Sequence, residues 1–350
     1  MSYILTRNII LYPYIMRTLK DYLIRGLRAG YRCITRKKFP PPVCECDRQA
    51  ANDMIYDLLA SDKPCMISRI GSGESNCVNN YLCVNSNAPS WKKWWNYISD
   101  NTETPWWNES SIRTLFVNTG VFPRSQQIAE RFAERYLEDI PEIDLLACIF
   151  YTEKYMPIPA TAHRIQFETL LPYFVDRPWT RILKGKRVLV IYPFEQTIHQ
   201  QYAKREMLYT HPEILPDFEL ITMKAVQTIA GNKSEFSDWF EALEYMERQI
   251  DKIDFDIALI GCGAYGLPLA AYIKRMGKKA VHLGGGVQLL FGILGKRWVE
   301  DYPRLSPWHY LPGIDIDIDY TPIFNQHWCY PLPIDTPSNT QVVEGACYWK

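Results

Sequence analysis

The sequence predicts an α/β fold, a Rossmann-like and mostly parallel sheet covered by helices on both faces. Strand-like apolar runs alternate with helical patterns through most of residues 50–300, which is typical of parallel sheets. Runs such as Arg187–Tyr192 and Phe255–Ile260 are almost continuously apolar, as expected of strands buried on both faces. Several of these runs end in glycine or polar residues, where open parallel sheets bind ligands.

Composition and charge narrow the class of protein. The 350 residues have room for one large domain or two ordinary ones, and 47% hydrophobic residues indicate a well-buried core. The net charge of zero is uneven, because residues 1–42 hold nine of the 39 Lys and Arg but only one acid, Asp21. The rest of the chain therefore has a net charge of −8 and no general nucleic-acid footprint. We expect no nucleic-acid partner.

The cysteines indicate the compartment. None of the ten cysteines forms a Cys-x-x-Cys pair, and several lie in or beside apolar runs, as Cys65, Cys148 and Cys262 do. Free cysteines pack as small hydrophobic residues. Together with the lack of a signal-peptide pattern, this predicts a cytoplasmic protein with reduced thiols.

Residues 1–42 form a basic amphipathic N-terminal segment in this prediction. The apolar run Ile9–Met16 is too short for a bilayer, which needs roughly 20 residues. From Leu19 to Gly30, apolar residues and glycines share one helical face. This segment could lie on an anionic inner-membrane surface or pack on the body with its basic face in solvent. Phe39–Pro42 then forms a stiff linker.

The body, residues 43–300, is predicted as one Rossmann-like domain. Five of the eleven tryptophans lie within residues 86–113, where they either stack on a sugar acceptor or fill a core. The elements predicted in the first half are a helix at Asp47–Ala60, a strand at Cys65–Ile70, a helix that begins near Gly71–Glu74, a strand at Thr114–Val117, a helix capped by Ser125 and a strand at Leu145–Phe150.

The second half is more regular and ends in one βαβ unit. Its predicted elements are a strand at Arg187–Tyr192, a helix at Glu195–Leu208, a strand at Phe218–Met223, a helix with a capping box at Asn232 and Glu235, a strand at Phe255–Ile260, a helix at Leu267–Met276, a strand at Lys279–Leu283 and a helix at Val287–Leu294.

Residues 301–350 are predicted as an irregular C-terminal tail that packs on the core. The tail is too aromatic to be a free disordered end. Within it, Ile314–Asp319 alternates strictly between isoleucine and aspartate. This stretch is either an Asp-x-Asp metal site or an edge strand with an acidic solvent face, because alternation places all three aspartates on one side of a strand.

The βαβ unit holds the clearest binding motif. Gly261-x-Gly263-x-x-Gly266 lies between a strand and a helix, the context in which a glycine turn and a helix N-terminus bind phosphate. An NAD site would need an acid about 20 positions further on to hold the ribose, but the second strand ends in His282–Gly284. Phosphate or nucleotide binding without NAD is therefore our interpretation, with purely structural glycines as the alternative.

The candidate site residues converge from four predicted strand ends. Carboxylates and a histidine at these ends suit proton transfer, and glycines and arginines suit phosphate binding. For Arg69 and Glu74, an ion pair that fixes the turn is the structural alternative. The catalytic candidates are Glu74, Glu195 and His282; the donor- and phosphate-binding candidates are Arg69, Gly71, Gly73, Gln227, Gly263, Tyr265, Gly266, Gly284, Gly285 and Arg297.

Three stretches resemble a known family. Ala258–Ala270, His282–Gly285 and Gly295–Trp298 are similar to the bacterial GT-D-type glycosyltransferase-like proteins of polysaccharide biosynthesis. Arg69–Glu74 resembles the Arg-x-Gly-x-Gly-Glu element of those enzymes, and the similarity extends over about residues 50–300 and Glu344–Trp349. The resemblance implies a Rossmann-like sheet, a nucleotide-sugar donor and a glycan acceptor.

The same resemblance implies a divalent metal, Mn or Mg. The family has an Asp-x-Glu metal motif at this junction. Glu74 matches its glutamate, whereas Ser72 stands where the aspartate would be. Glu74 is thus the one expected metal ligand, with a metal-independent reaction as the alternative.

We therefore expect a glycosyltransferase that moves a sugar from a nucleotide-diphosphate donor to a glycan or lipid-linked acceptor in cell-surface polysaccharide synthesis. It would be cytoplasmic or peripheral at the inner membrane. The alternatives are an NAD(P)-dependent oxidoreductase and a non-catalytic scaffold of a polysaccharide assembly complex.

Overall fold

The computed structural model describes residues 22–36, 42–301, 319–337, 340 and 346–350. The apolar run Ile9–Met16 and all of the alternating stretch Ile314–Asp319 except its last residue lie outside these residues. Contacts divide the chain into two compact units. Among the described residues, the small helical unit consists of 22–36 and Asn79–Asn108, and the sheet unit contains the remainder. The sequence-based division did not separate residues 79–108 from the body.

Seven parallel strands form the centre of the sheet unit, which confirms the predicted fold class. Each strand pairs with its neighbours in parallel, in the order β3-β2-β1-β7-β6-β4-β5. Most strand residues are buried, as expected of a sheet covered on both faces. The strands are β1 (Cys65–Ser68), β2 (Leu145–Cys148), β3 (His163–Gln166), β4 (Arg187–Tyr192), β5 (Glu219–Lys224), β6 (Ile257–Ile260) and β7 (Lys279–His282).

Ten α-helices lie in the described part of the chain. Several follow a strand directly, as α3 follows β1 and α9 follows β6, which is the alternation that the sequence pattern predicts. They are α1 (22–35), α2 (Arg48–Ala60), α3 (Ser72–Val84), α4 (Ser90–Ile98), α5 (Glu109–Thr119), α6 (Gln126–Asp139), α7 (Glu195–Tyr202), α8 (Trp239–Ile250), α9 (Gly266–Arg275) and α10 (Gly286–Leu290).

The strand order places a topological switch point between β1 and β7. From β1 the chain builds β2 and β3 on one side, whereas β7 is reached from β6 on the other side. Ile67 at the centre of β1 pairs with Leu145 of β2 and with Val281 of β7. In open parallel sheets, ligands bind outside the carboxyl ends of the strands at such a point.

Three local predictions were wrong. Thr114–Val117, predicted as a strand, belongs to α5, because Ile112, Leu115 and Thr119 recur at helical spacing and are buried together. Helix α8 begins at Trp239 and not at Asn232, because the carboxylate of Asp238 accepts the N–H groups of Phe240 and Glu241. Strand β3 was not predicted, since three of its four residues are polar and only Ile165 is fully buried.

Several described residues of the C-terminal tail lie in the core of the sheet unit. Trp328, Ala346 and Trp349 are buried in the same hydrophobic cluster as the strands. Backbone N–H groups of Lys296 and Arg297 donate to the carbonyls of Trp349 and Cys347, at 2.8 and 2.9 Å. These bonds hold the end of the chain beside β7.

The small helical unit is held together by one buried carboxylate and by stacked rings. Asp100 is buried and accepts hydrogen bonds from Arg28 at 2.8 Å and from Arg32 at 2.7 Å, which fixes α1 to the turn after α4. The rings of Trp94 and Trp106 stack with their centroids 5.0 Å apart. Both rings are half-buried, so packing against each other covers part of their surface.

Candidate functional site

A cavity of about 210 Å³ opens at the carboxyl ends of the strands in the sheet unit. Its wall includes residues that follow each of the seven strands, around the switch point. Eleven of the thirteen predicted site residues line it: Arg69, Gly71, Gly73, Glu74, Gln227, Gly263, Tyr265, His282, Gly284, Gly285 and Arg297. The convergence expected from the strand ends is thus present.

The end of β1 supplies a cation and a carboxylate. Glu74 is buried in the first turn of α3, and its Oε2 lies where a side chain at Gly71 would collide with it. A Cβ at Gly71 would also lie 2.8 Å from Nη2 of Arg69. Only glycine fits between these two side chains, so any other residue at position 71 would displace one of them.

Arg69 is a half-buried cation with one buried hydrogen-bond donor that is not used. Its Nε is buried without a hydrogen-bond partner, and its guanidinium lies 5.5 Å from the centroid of the Phe167 ring. Within the described ranges no ion pair joins Arg69 to Glu74, so the structural alternative considered for this turn does not hold there. An unsatisfied buried donor is costly unless a ligand satisfies it.

The end of β7 touches the same arginine. Gly284 has φ +58°, and a Cβ there would lie 2.5 Å from Nη1 of Arg69. A side chain at this position would therefore be strained and would displace the guanidinium. The glycines after β1 and β7 leave Arg69 in place between the two strand ends.

His282 is a buried neutral base. Its Nδ1 lies 3.1 Å from Oγ of Ser68, and its Nε2 lies so close to Gly266 that any Cβ there would overlap it. Burial, and next the charge of Arg69, lower the pKa of His282 to about 3. The imidazole is uncharged at neutral pH, so it does not fit the role of a cation that contacts phosphate.

Gly266 and Glu195 do not line the cavity. Gly266 contacts the ring of His282, and its lack of a side chain leaves room for that ring beside the cavity. Glu195 accepts a hydrogen bond from Oγ1 of Thr222 on β5 at 2.8 Å and stays in the first turn of α7. The catalytic candidacy of Glu195 is therefore not supported, because its carboxylate is directed to a neighbouring strand.

The end of β6 forms the floor of the cavity. Gly263 has φ +59°, a conformation that favours glycine. Tyr265 stacks on Trp239 at 5.0 Å, and its hydroxyl lies 3.3 Å from Oγ1 of Thr228, which donates to the carbonyl of Gly120 at 2.5 Å. Burial raises the pKa of Tyr265, so its hydroxyl keeps its proton.

Two glutamates near the cavity were missed. Glu168 lines it, is buried, and accepts the hydroxyl of Tyr320 at 2.6 Å. Glu153 accepts the backbone N–H groups of the lining residues Ile149 and Phe150, and burial raises its pKa to about 7. Glu168 follows the unpredicted strand β3, so no sequence signal placed it at a strand end.

The remaining wall is aromatic and includes the end of the chain. Phe150, Phe167, Phe194 and Trp349 line the cavity. Arg297 lies 4.9 Å from the centroid of the Tyr348 ring and donates to the Tyr348 hydroxyl at 3.2 Å. Aromatic faces beside polar groups provide the surface on which a sugar ring can pack.

A metal held by the protein alone does not fit the described side chains. Across residues 22–36, 42–301, 319–337, 340 and 346–350, no group of three His, Cys, Asp or Glu could hold an ion. Glu74 lines the cavity with Ser72 beside it, as the sequence indicated. We derive no chemical step through a metal.

No known protein family is matched. Family models, curated proteins and solved structures all lack a match to this chain. The resemblance to GT-D-type proteins therefore stays a prediction, carried by the residues quoted for it.

The low pKa of His282 predicts how the protein responds to acid. Between pH 6.5 and 3, the unfolded chain binds a proton at this position that the folded protein does not, so the free energy of unfolding falls as pH falls. The slope is about 1.4 kcal/mol per pH unit. The contribution of Glu153 to this pH dependence has the opposite sign, because its raised pKa makes the free energy of unfolding fall as pH rises from 4.5 to 7.

Urea unfolding of wild type and of the His282→Gln variant at several pH values measures how much His282 contributes to the pH dependence of the free energy of unfolding. We expect the variant to gain stability relative to wild type with each step down from pH 6.5, whatever its stability at neutral pH. His163→Gln, at an exposed position, is the matched control. A pH-independent difference for His282→Gln would contradict the assignment of a buried neutral imidazole.

Proposed function

We propose that the protein is a glycosyltransferase that uses a nucleotide-diphosphate sugar as donor and a glycan or lipid-linked acceptor. The observation that carries the proposal is the arginine at the switch point. Arg69 lies between the glycines that follow β1 and β7, with a buried Nε that lacks a partner. Guanidinium groups bind phosphate oxygens in pairs, and the glycines let a diphosphate approach the backbone.

A helix end adds to the anion site. Helix α3 begins at Ser72, which lines the cavity together with Gly71 and Gly73. The first N–H groups of a helix are free of intrahelical partners, and its N-terminus is positive. Arg69 and this helix end therefore present positive charge to the same space, as a diphosphate requires.

The size and lining of the cavity suit the sugar end of the donor. A volume of about 210 Å³ is below the roughly 300–1,000 Å³ of sites that enclose drug-sized ligands. In this proposal the diphosphate and sugar are enclosed and the base lies at the mouth. The aromatic wall would pack on the sugar ring, while Glu74, Glu168 and Gln227 offer acceptors for its hydroxyls.

The transfer step needs a base and a charged leaving group. The acceptor oxygen attacks the anomeric carbon, the bond from that carbon to the diphosphate oxygen breaks, and the diphosphate leaves with the electron pair. Arg69 stabilises the charge that develops on the diphosphate. The proton of the acceptor hydroxyl goes to a carboxylate. Glu74 is our candidate because it lines the cavity from the first turn of α3, close to Arg69.

Nucleotide titration tests this function. Thermal unfolding of the full chain would be followed with UDP, GDP and their sugar conjugates, with and without Mn²⁺. At a ligand concentration of 100 Kd, binding stabilises the folded state by about 2.7 kcal/mol, enough to raise Tm by several degrees. No shift with any nucleotide diphosphate would reject the proposal, and a shift with NAD⁺ alone would favour the oxidoreductase.

A further inference from the structure

The small helical unit exposes an unusual share of large apolar side chains. Six of the twelve exposed large hydrophobic residues in the described chain belong to it, although it is much the smaller unit. They are Tyr22, Leu23, Leu27, Ile34, Trp91 and Trp95. Trp91 is 71% exposed and Trp95 is 54% exposed, so neither fills a core. Contiguous exposed apolar surface marks a site of interaction.

Five of these side chains adjoin one another on α1 and α4. The ring of Tyr31 meets that of Trp95 edge-on, with centroids 6.1 Å apart. Leu27 and Ile34 lie four residues before and three residues after Tyr31, and such residues are neighbours on a helix surface. By the same spacing, Trp91 is the neighbour of Trp95 and Leu23 that of Leu27. We call Leu23, Leu27, Ile34, Trp91 and Trp95 the apolar face.

The exposed charges in the described part of the small helical unit all have one sign. The described residues of the small helical unit contain the cations Arg25, Arg28, Arg32, Arg36, Lys92 and Lys93 and the acids Asp100 and Glu103. Asp100 is buried against Arg28 and Arg32, and Glu103 is half-buried. Every charged side chain that is exposed in this unit is therefore an arginine or a lysine: Arg25, Arg32, Arg36 and Lys92.

This combination fits a lipid surface better than another macromolecule. Tryptophan is enriched at the headgroup level of bilayers, leucine and isoleucine can enter the acyl boundary, and nearby cations are attracted by anionic lipids. A nucleic acid would use the cations and the rings but would leave the aliphatic stripe of α1 in water. None of the described helices is long and apolar enough to cross a membrane.

We propose that the apolar face of α1 and α4, with Lys92 next to Trp91 and with exposed cations as the only exposed charges among the described residues of the unit, docks the protein on an anionic membrane surface. It lies in the plane of the interface, with Trp91 and Trp95 at headgroup level. The sequence pointed to residues 1–36 for this contact, but the tryptophans of α4 were interpreted there as a sugar-stacking surface or a core. The inference does not depend on the proposed glycosyl transfer, although a lipid-linked acceptor would be reached from such a surface.

Vesicle flotation of the full chain tests the proposal. Wild type is expected to float with phosphatidylcholine vesicles that contain phosphatidylglycerol and to stay at the bottom with phosphatidylcholine alone. The double variant Trp91→Ser, Trp95→Ser should lose at least about tenfold in partitioning, because two interfacial anchors are removed. Ile334→Ser, another exposed apolar position, belongs to the sheet unit and should bind as wild type.

A second variant separates charge from apolar contact. Lys92→Gln should weaken binding several-fold, since a cation near an anionic surface contributes about 1 kcal/mol, and should reduce its dependence on salt. Circular dichroism and Tm of each variant check that the fold is kept.

Four outcomes would overturn the proposal. They are flotation of the double tryptophan variant equal to wild type, equal binding to neutral and anionic vesicles, no flotation of wild type at all, and binding to single-stranded nucleic acid without binding to vesicles. The first outcome would also show that another part of the chain holds the membrane.

Discussion

The Glu74→Gln variant is expected to lose about 10³-fold in sugar transfer, within the range that removal of a general base produces. The amide keeps the size of the side chain and the packing against Gly71 but cannot accept the proton of the acceptor hydroxyl. Because binding groups such as Arg69 remain, the loss should appear in kcat more than in KM. Turnover of the purified variant, with a radiolabelled or fluorescent acceptor, measures it.

Glu195→Gln is a matched control for this variant. Both glutamates lie in the first turn of a helix that follows a parallel strand, but only Glu74 lines the cavity. Glu195→Gln is expected to keep wild-type turnover, with a small stability loss from the changed contact with Thr222. Unchanged turnover in Glu74→Gln, or an equal loss in both variants, would remove Glu74 from the mechanism.

The Arg69→Gln variant is expected to bind nucleotide diphosphates about 100-fold more weakly, which corresponds to about 2.7 kcal/mol. In the folded chain the guanidinium is partly desolvated and its Nε lacks a partner, so a bound diphosphate would satisfy it. Calorimetric titration with UDP or GDP gives the affinity. Arg248→Gln, at an exposed position on α8, should leave the affinity unchanged.

Stability distinguishes a ligand-binding arginine from a structural one. Removal of a partly desolvated cation whose buried Nε has no hydrogen-bond partner relieves a desolvation cost, so we expect the free energy of unfolding of Arg69→Gln to stay the same or to increase. An arginine that held the fold together would lose stability on the same substitution. A destabilised variant with normal nucleotide affinity would contradict the role that we propose for Arg69.

The βαβ unit could be predicted from sequence because its signals are local. A continuous apolar run, a glycine turn and a helical period identify β6 and α9, and Gly277, with φ +82°, ends the helix where its sequence indicates. Helix α5 could not be identified in this way. Its β-branched and aromatic residues favour a strand locally, and only burial of one helical face in the folded protein decides otherwise.

Local sequence signals do not determine which residues face the candidate site. Glu74 and Glu195 have the same sequence context, and the difference appears only in the folded protein, where Glu74 lines the cavity and Glu195 is directed to Thr222 on β5. Glu168 was missed for the same reason, since its place depends on a short polar strand at the edge of the sheet. The low pKa of His282 likewise depends on burial and on Arg69, residues far apart in the chain.

The position of β7 in the sheet also determines when the cavity can form during folding. This strand is the last of the strands in the described residues, yet it pairs with β1 on one side and with β6 on the other. Until β7 inserts, the β1–β3 half and the β4–β6 half have no strand pair in common. Such long-range pairing is slow. Arg69 and the glycine turns after β1 and β7 can therefore meet only once β7 has paired with β1.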